Sequence, residues 1–107
     1  MEAGDVKYQL VLQCRGTTMS DFDHLVQLET ALEEFLGPGA DVDGHDFGSG
    51  EMNLFIITDH PVETFESVLP LLEREGCLAS LRAGYREIKG EKFTVLWPLG
   101  LDSFRII

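Results

Sequence analysis

The stretch of sequence that decides the fold is Met52-Asn53-Leu54-Phe55-Ile56-Ile57-Thr58. Large apolar side chains fall on both faces of this run, which predicts a strand in a central position, buried on both sides of a sheet. The segment Thr58-Asp59-His60-Pro61 follows directly, and proline is favoured in the first turn of a helix. The middle of the chain therefore contains a strand that leads straight into a helix.

The segment before this run is predicted to hold two strands with a helix between them. Residues 6–14 place apolar side chains at every second position, a period that is typical of a half-buried strand. Ser20 is the expected N-cap of an amphipathic helix, which Gly37-Pro38-Gly39 ends. Residues 40–47 are acidic and poor in large apolar side chains, as is common in a strand at the edge of a sheet.

The segment after this run is predicted to hold a second helix and two more strands. Apolar residues recur at helical spacing between Val62 and Leu72, and Pro70 is expected to kink this helix or to end its regular part. Residues 81–88 and 92–97 are predicted to form the two strands of a hairpin. Residues 99–107 form an apolar tail whose conformation the pattern leaves open.

The order of elements is therefore β-α-β-β-α-β-β, which predicts an α+β fold. The first six elements follow the split βαβ pattern of ferredoxin-like two-layer sandwiches, and the final hairpin adds a fifth strand. Because crossovers are right-handed, both helices are expected on one face of an antiparallel sheet. The expected strand order is 2-3-1-4, with strand five outside strand four. We expect a single domain over residues 1–107, with a ferredoxin-like core at 6–98 and the apolar tail at 99–107.

The charge of the chain is strongly acidic and unevenly distributed. The 107 residues include 19 Asp and Glu against 8 Lys and Arg, a net charge of −11. No lysine or arginine lies between Gly16 and Glu73, whereas thirteen acids do. This excess argues against nucleic acid and against an anionic membrane surface as partners, because both attract cations. Two interpretations of the acidic helical face stay open: a surface that is only hydrated, and a docking surface for a basic protein partner.

The sequence shows no pattern of a signal peptide or of a membrane span. Residues 1–5 lack a basic segment followed by an apolar one, and every apolar run is far shorter than the ~20 residues of a membrane helix. Cys14 and Cys77 form no metal-binding or CxxC pattern. We expect two reduced thiols in a cytoplasmic protein, although a disulfide also fits their number.

Polar side chains with metal-binding and acid–base chemistry concentrate between residues 41 and 51. The candidate binding residues here and at the next helix start are Asp43, His45, Asp46, Glu51 and His60. Strand alternation is expected to place Asp41, Asp43 and His45 on one side of the chain, in a row that could hold a divalent cation with a further ligand. The alternative is an ordinary acidic edge strand with a glycine-rich hairpin. No cofactor is predicted, and no catalytic residues are predicted because the residue types of a catalytic triad, Ser49, His45 and Asp46, all belong to one hairpin.

The sheet face opposite the helices is expected to remain partly apolar. The expected register places Val11, Phe55, Ile57 and Leu96 there, with Thr94 beside them, and Phe55 and Ile57 are candidate binding residues. An apolar patch on an uncovered sheet is typical of a contact site. Three occupants are open at this point: the tail at residues 99–107, a second copy of the chain in a homodimer, and a small molecule.

Three segments resemble a set of small bacterial proteins without an assigned function. They are Val42-Asp43-Gly44-His45-Asp46 with Gly48-Ser49-Gly50-Glu51-Met52-Asn53, the helix start Thr58-Asp59-His60-Pro61, and Thr94-Val95-Leu96-Trp97-Pro98. The pattern is similar to that of ferredoxin-like α+β domains, and some small toxin-immunity proteins are similar in size and acidity. The resemblance implies the fold and a bacterial, cytoplasmic setting, and it assigns a role to no residue.

The sequence favours a non-enzymatic interaction or regulatory module as the function. Such a protein would contact its partner through the acidic helical face, in the manner of an inhibitor or immunity protein. The alternative is a small-molecule- or metal-dependent enzyme, or a ligand sensor, that uses the segment from Asp41 to Glu51.

Overall fold

The computed structural model describes residues 7–37, 39–98, 100–104 and 106. Its elements are β1 (Tyr8–Arg15), α1 (Met19–Phe35), β2 (Ala40–Gly48), β3 (Glu51–Thr58), α2 (Pro61–Arg74), a short 3₁₀ turn (Leu78–Ser80), β4 (Arg82–Glu87) and β5 (Thr94–Trp97). The predicted strand residue Val6, the predicted helix end at Pro38, and Leu99 and Ile107 of the tail lie outside the described residues, as do residues 1–5.

The five strands form one antiparallel sheet in the order β2-β3-β1-β4-β5. This is the order expected from the sequence, and the α+β class is confirmed. β1 lies at the centre and pairs along its whole length with β3, from Tyr8 opposite Thr58 to Arg15 opposite Glu51. Its other edge pairs with β4. The acidic strand β2 lies at one edge of the sheet, and β5 lies at the other.

Both helices pack against the same face of this sheet. The buried side chains of α1 and α2 belong to a single apolar cluster with every second residue of β1. The β1 members are Leu10, Leu12 and Cys14, the α1 members are Leu25, Leu28 and Leu32, and the α2 members are Phe65, Val68, Leu71 and Leu72. A strand directs alternate side chains to opposite faces, so a shared cluster means that the two helices form one layer and the sheet the other.

Helix α1 begins two residues earlier than the sequence predicted. The N-cap is Thr18 rather than Ser20, and its hydroxyl accepts a hydrogen bond from the Asp21 N–H at 3.0 Å. The Asp21 carboxylate accepts in return from the N–H groups of Thr17 at 2.9 Å and Thr18 at 3.1 Å. These bonds form a capping box, which satisfies backbone donors that the helix itself leaves free.

Helix α2 starts at Pro61, as predicted, and continues through Pro70 to Arg74. The expectation that Pro70 ends the regular part is therefore wrong. Pro70 lies on the exposed side of the helix, where a backbone carbonyl that loses its N–H partner can bond to water instead. The apolar side chains on the opposite side of α2 keep the helix packed on the sheet.

The C-terminal tail covers part of the sheet face that the helices leave free. Phe104 is 8% exposed and packs on Gly84 of β4, where an added Cβ would lie 2.9 Å from the Phe104 ring. The Phe104 ring also contacts that of Phe93, with centroids 5.1 Å apart. Gly84 is the residue that pairs with Val11, so the Phe104 ring covers the sheet face beside Val11.

The sequence analysis assigned the residues of β5 to the wrong face of the sheet. Thr94 and Leu96 were expected beside Phe55 and Ile57, but Thr94 pairs with Tyr85 and Leu96 packs against the helix-side core. The register shifts between Ala83 and Gly84, and Val95 lies opposite Gly84. A shift of one residue in a strand exchanges its two faces.

Replacing Phe104 by alanine is expected to lower the free energy of unfolding by roughly 3 kcal/mol, because the ring is buried between Gly84 and Phe93. Urea denaturation measures the change. The matched control is Ile106→Ala in the same tail, where the side chain is 37% exposed and the expected loss is below ~1 kcal/mol. Equal stability of the Phe104 variant and the wild type would contradict the packing of the tail.

The capping box makes a pH-dependent contribution to stability. Hydrogen bonds from the backbone N–H groups of Thr17 and Thr18 lower the pKa of Asp21 below its ordinary value of 3.8. The stabilisation is therefore present above about pH 4 and is lost as the pH falls through the lowered pKa. We expect Asp21→Asn to be less stable than the wild type at pH 7 and the difference to be smaller at about pH 2.

Urea denaturation at the two pH values measures this difference, and Asp23→Asn removes a charge from the same turn as a control. Thr18→Ala is expected to cost about 1 kcal/mol at pH 7 and less at about pH 2, since the Thr18 side chain also helps to lower the pKa of Asp21. An Asp21 variant with the same deficit at both pH values would contradict the assignment.

Candidate functional site

The acidic face consists of the exposed carboxylates on the outer sides of the two helices. They are Asp23, Glu33, Glu34, Glu63, Glu66 and Glu73. Because both helices lie on one side of the sheet, these groups share one surface of the molecule. Within the described ranges, the ion pair of Arg74 with Glu75, at 3.6 Å, is the only one between an arginine or lysine and a carboxylate. None of these six carboxylates forms an ion pair with a lysine or arginine among the residues that the structure describes.

A groove runs between α1 and α2 within this surface. Its volume is about 510 Å³, and it is lined by Ala31, Glu34, Phe35, Ser67, Pro70, Leu71 and Arg74. Phe35 is 53% exposed, which is unusual for a large aromatic side chain in the last turn of a packed helix. The groove thus combines an apolar floor with a carboxylate contributed by α1 and a guanidinium contributed by α2.

His60 lies in a second cavity, where α2 begins above the ends of β1 and β4. Its volume is about 410 Å³, and it is lined by Tyr8, Asp59, His60, Pro61, Val62, Glu63 and Tyr85. The two tyrosine rings meet edge to face, with centroids 5.6 Å apart and planes at 81°. The imidazole of His60 lies 3.6 Å from a carboxylate oxygen of both Asp59 and Glu63. Aromatic rings beside carboxylates suit an ammonium or guanidinium group.

The structure separates the residues that were predicted to form a row along β2. A bulge shifts the register between Val42 and Gly44, and Gly44 adopts a φ of +133°. Asp41 consequently lies opposite Ile57 on the sheet face away from the helices, whereas His45 lies opposite Leu54 on the helix side. The expectation that Asp41, Asp43 and His45 share one side is therefore wrong, because an inserted residue reverses the alternation.

His45 contacts helix α1, although its side chain remains partly open to solvent. Its Nδ1 lies 3.0 Å from Oε1 of Glu29, and its ring contacts that of Phe22 at 5.8 Å between centroids. Phe22 also packs edge to face on Phe47, with centroids 5.4 Å apart. These contacts attach the edge strand to α1. Asp43 and Asp46 are exposed along the same edge of the sheet.

The remaining predicted site residues lie elsewhere. Glu51 lies opposite Arg15 in the register of β3 and β1. It lines a cleft of about 370 Å³ that is also lined by Arg82. Phe55 and Ile57 are half-buried on the sheet face opposite the helices. The seven predicted residues thus fall at four places and do not form one site.

Sequence analysis missed two polar contacts on the face opposite the helices. Gln13 donates from Nε2 to Oδ1 of Asn53 at 3.0 Å, and both residues are 1% exposed. Arg86 donates to Oε1 of Gln9 at 3.1 Å and stacks over the ring of Phe93 at 5.8 Å. The alternation of β1 gave the face of each residue, but only the strand order shows which groups become neighbours across it.

The part of the chain that the structure describes holds no group of three or more His, Cys, Asp or Glu side chains positioned to bind a metal ion. None of its helices is long and apolar enough to cross a membrane. Comparisons with models of known families, with curated proteins and with solved structures find no match to this chain.

The bulge in β2 is expected to depend on Gly44. A side chain is strained at its positive φ, so Gly44→Ala should lower the free energy of unfolding by about 1–3 kcal/mol although the space around it is open. Gly48→Ala is the matched control in the same strand, with equally open surroundings and no positive φ, and should change stability by less than ~1 kcal/mol. Equal losses in the two variants, measured by urea denaturation, would contradict the bulge.

Proposed function

We propose that this protein is a non-enzymatic interaction module that docks a basic protein surface on its acidic face. The observation that carries the proposal is the set of exposed carboxylates on α1 and α2, which form no ion pair with a lysine or arginine in the described part of the chain. Carboxylates on one side of a small molecule create a negative potential, which accelerates encounter with a cationic surface and repels an anionic one.

Two features on the helical side of the molecule indicate that the acidic face binds a protein partner rather than only mobile counterions. The groove between the helices exposes Phe35 beside Glu34. A partner can therefore bury apolar area on Phe35 and place a cationic side chain next to the Glu34 carboxylate. The cavity at Tyr8, Tyr85 and His60 suits one basic side chain of such a partner. Aromatic contacts of this kind contribute most of the binding energy in protein interfaces, while rim charges mainly set the rate.

The finer assignments of the sequence analysis belong to the same proposal. A ferredoxin-like arrangement of the first six elements is supported by the strand order and by the single helical layer. A cytoplasmic protein of the bacterial group that the sequence resembles, with an inhibitor-like mode of action, stays a prediction. A homodimer through the sheet face also stays a prediction, and it would have to use the part around Phe55 and Ile57, since Phe104 occupies the part at Gly84.

The proposal predicts that a short peptide of alternating arginine and serine binds the protein in a salt-dependent manner. Binding should be measurable by fluorescence anisotropy at ~0.05 M salt and should be lost at ~0.5 M, where exposed charges are screened. Removing two carboxylates of α1 with Glu33→Gln and Glu34→Gln should raise the Kd roughly fivefold, since each exposed ion pair contributes about 0.5 kcal/mol.

The matched control removes the same charge away from the acidic face, with Glu91→Gln before β5 and Asp102→Asn in the tail. This variant should bind nearly as well as the wild type. A peptide in which citrulline replaces arginine should not bind. If the control variant loses as much affinity as the helical one, net charge rather than the acidic face attracts the peptide, and the proposal is wrong.

A further inference from the structure

The fold brings together two cysteines that lie far apart in the sequence. Cys14 is near the end of β1 on the side that faces the helices, and Cys77 follows α2 just after Gly76. The Cys14 thiol donates a hydrogen bond to the carbonyl oxygen of Cys77 at 3.7 Å, so the Cys14 sulfur lies directly beside the second cysteine. Each residue is 6% exposed, and neither is in a disulfide.

The backbone on both sides of this thiol pair is anchored. The N–H of Cys77 donates to the carbonyl of Leu72 at 2.9 Å, which closes the C-terminal end of α2. The N–H of Arg15 donates to the hydroxyl of Ser80 at 3.2 Å, which ties the end of β1 to the 3₁₀ turn after Cys77. The two sulfur atoms are therefore held near one another by contacts outside the cysteines themselves.

The surroundings of the pair make the two thiols unequal. The hydrogen bond from Cys14 lowers the pKa of Cys77 to about 7, with a smaller contribution from His24, while burial and Glu75 oppose this shift. The same hydrogen bond raises the pKa of Cys14 far above its ordinary value, together with burial and the charges of Cys77 and Glu51. His24 lies 3.5 Å from a carboxylate oxygen of Glu75. The lowered pKa makes Cys77 the sulfur of the pair that ionises more readily, and the thiolate is the nucleophilic form of a cysteine.

We propose that Cys14 and Cys77 are a site of reversible oxidation, at which a hydroperoxide converts the two thiols into an intramolecular disulfide. The Cys77 thiolate attacks one peroxide oxygen, an S–O bond forms, and the O–O bond breaks. The departing oxygen takes up a proton and leaves as water or an alcohol. The Cys14 sulfur then attacks the sulfenic acid of Cys77, the S–S bond forms, and the hydroxyl group leaves with the Cys14 proton as water.

This proposal does not depend on the acidic face or on any partner. The disulfide would connect the central strand β1 to the end of α2 and close a long loop, because the two cysteines are 63 positions apart. A long closed loop restricts the unfolded chain, so the oxidised protein is expected to unfold at a temperature roughly 10 °C higher than the reduced one.

The test treats the folded, reduced protein with hydrogen peroxide, blocks the remaining thiols with N-ethylmaleimide in denaturant, and measures the intact mass. The wild type should lose two hydrogen atoms and take up no maleimide, and dithiothreitol should restore both thiols. The reaction rate should rise between pH 6 and pH 8, as the fraction of Cys77 thiolate increases.

Two serine variants identify the role of each sulfur. Cys14→Ser should stop at the sulfenic acid of Cys77, which dimedone labels, and Cys77→Ser should leave Cys14 unoxidised under the same conditions. Serine is close to cysteine in size, so both variants are expected to fold. Circular dichroism before treatment compares their fold with that of the wild type. Wild type that retains two alkylatable thiols, or that gains oxygen on a single cysteine, overturns the proposal. A rate that is flat between pH 6 and pH 8 overturns the assignment of Cys77 as the attacking sulfur.

Discussion

The apolar core that Leu10 and Leu12 share with both helices is the feature on which the rest of the structure depends. β1 is the central strand, and these two side chains are 0% and 2% exposed in the cluster that α1 and α2 share. A strand has only two faces, so two helices that contact the same alternate residues must lie side by side. The opposite face is then left to the C-terminal tail, whose Phe104 packs on Gly84.

The distribution of charge follows from this packing. A helix that buries one side in a shared core turns its polar side to solvent, so the carboxylates of α1 and α2 end on one surface. Half of the eight cationic side chains come from β4 and the turn after it, on the other side of β1, where Arg86 is held by Gln9 and by backbone carbonyls. The mutual repulsion of the helical carboxylates is a cost that the apolar core offsets, and it is the property that a cationic partner would relieve.

The fold could be predicted largely from the sequence, because each element is marked by a periodic pattern of apolar residues within its own segment. The alternation in β1, the helical spacing in α1 and α2, and the apolar run of β3 each fix an element, and short connections limit how the elements pair. The start of α1 was also readable, since Asp21 follows Thr18 at the spacing of a capping box. The bulge at Gly44 was harder to predict, because β2 has only three apolar side chains, Ala40, Val42 and Phe47, and the change from even to odd positions between Val42 and Phe47 is its one trace in the sequence.

The candidate site was harder to predict than the fold, since it depends on neighbours that only the sheet order and the tail create. The contact between Cys14 and Cys77 requires the end of β1 to meet the end of α2, which no local pattern shows.

Nuclear Overhauser contacts between methyl groups test the common helical layer most directly. The account predicts that the Leu10 and Leu12 methyls give cross-peaks to Leu32 of α1 and to Leu72 of α2. Cross-peaks from either helix to Val11 and Phe55, on the opposite face of the sheet, would contradict it.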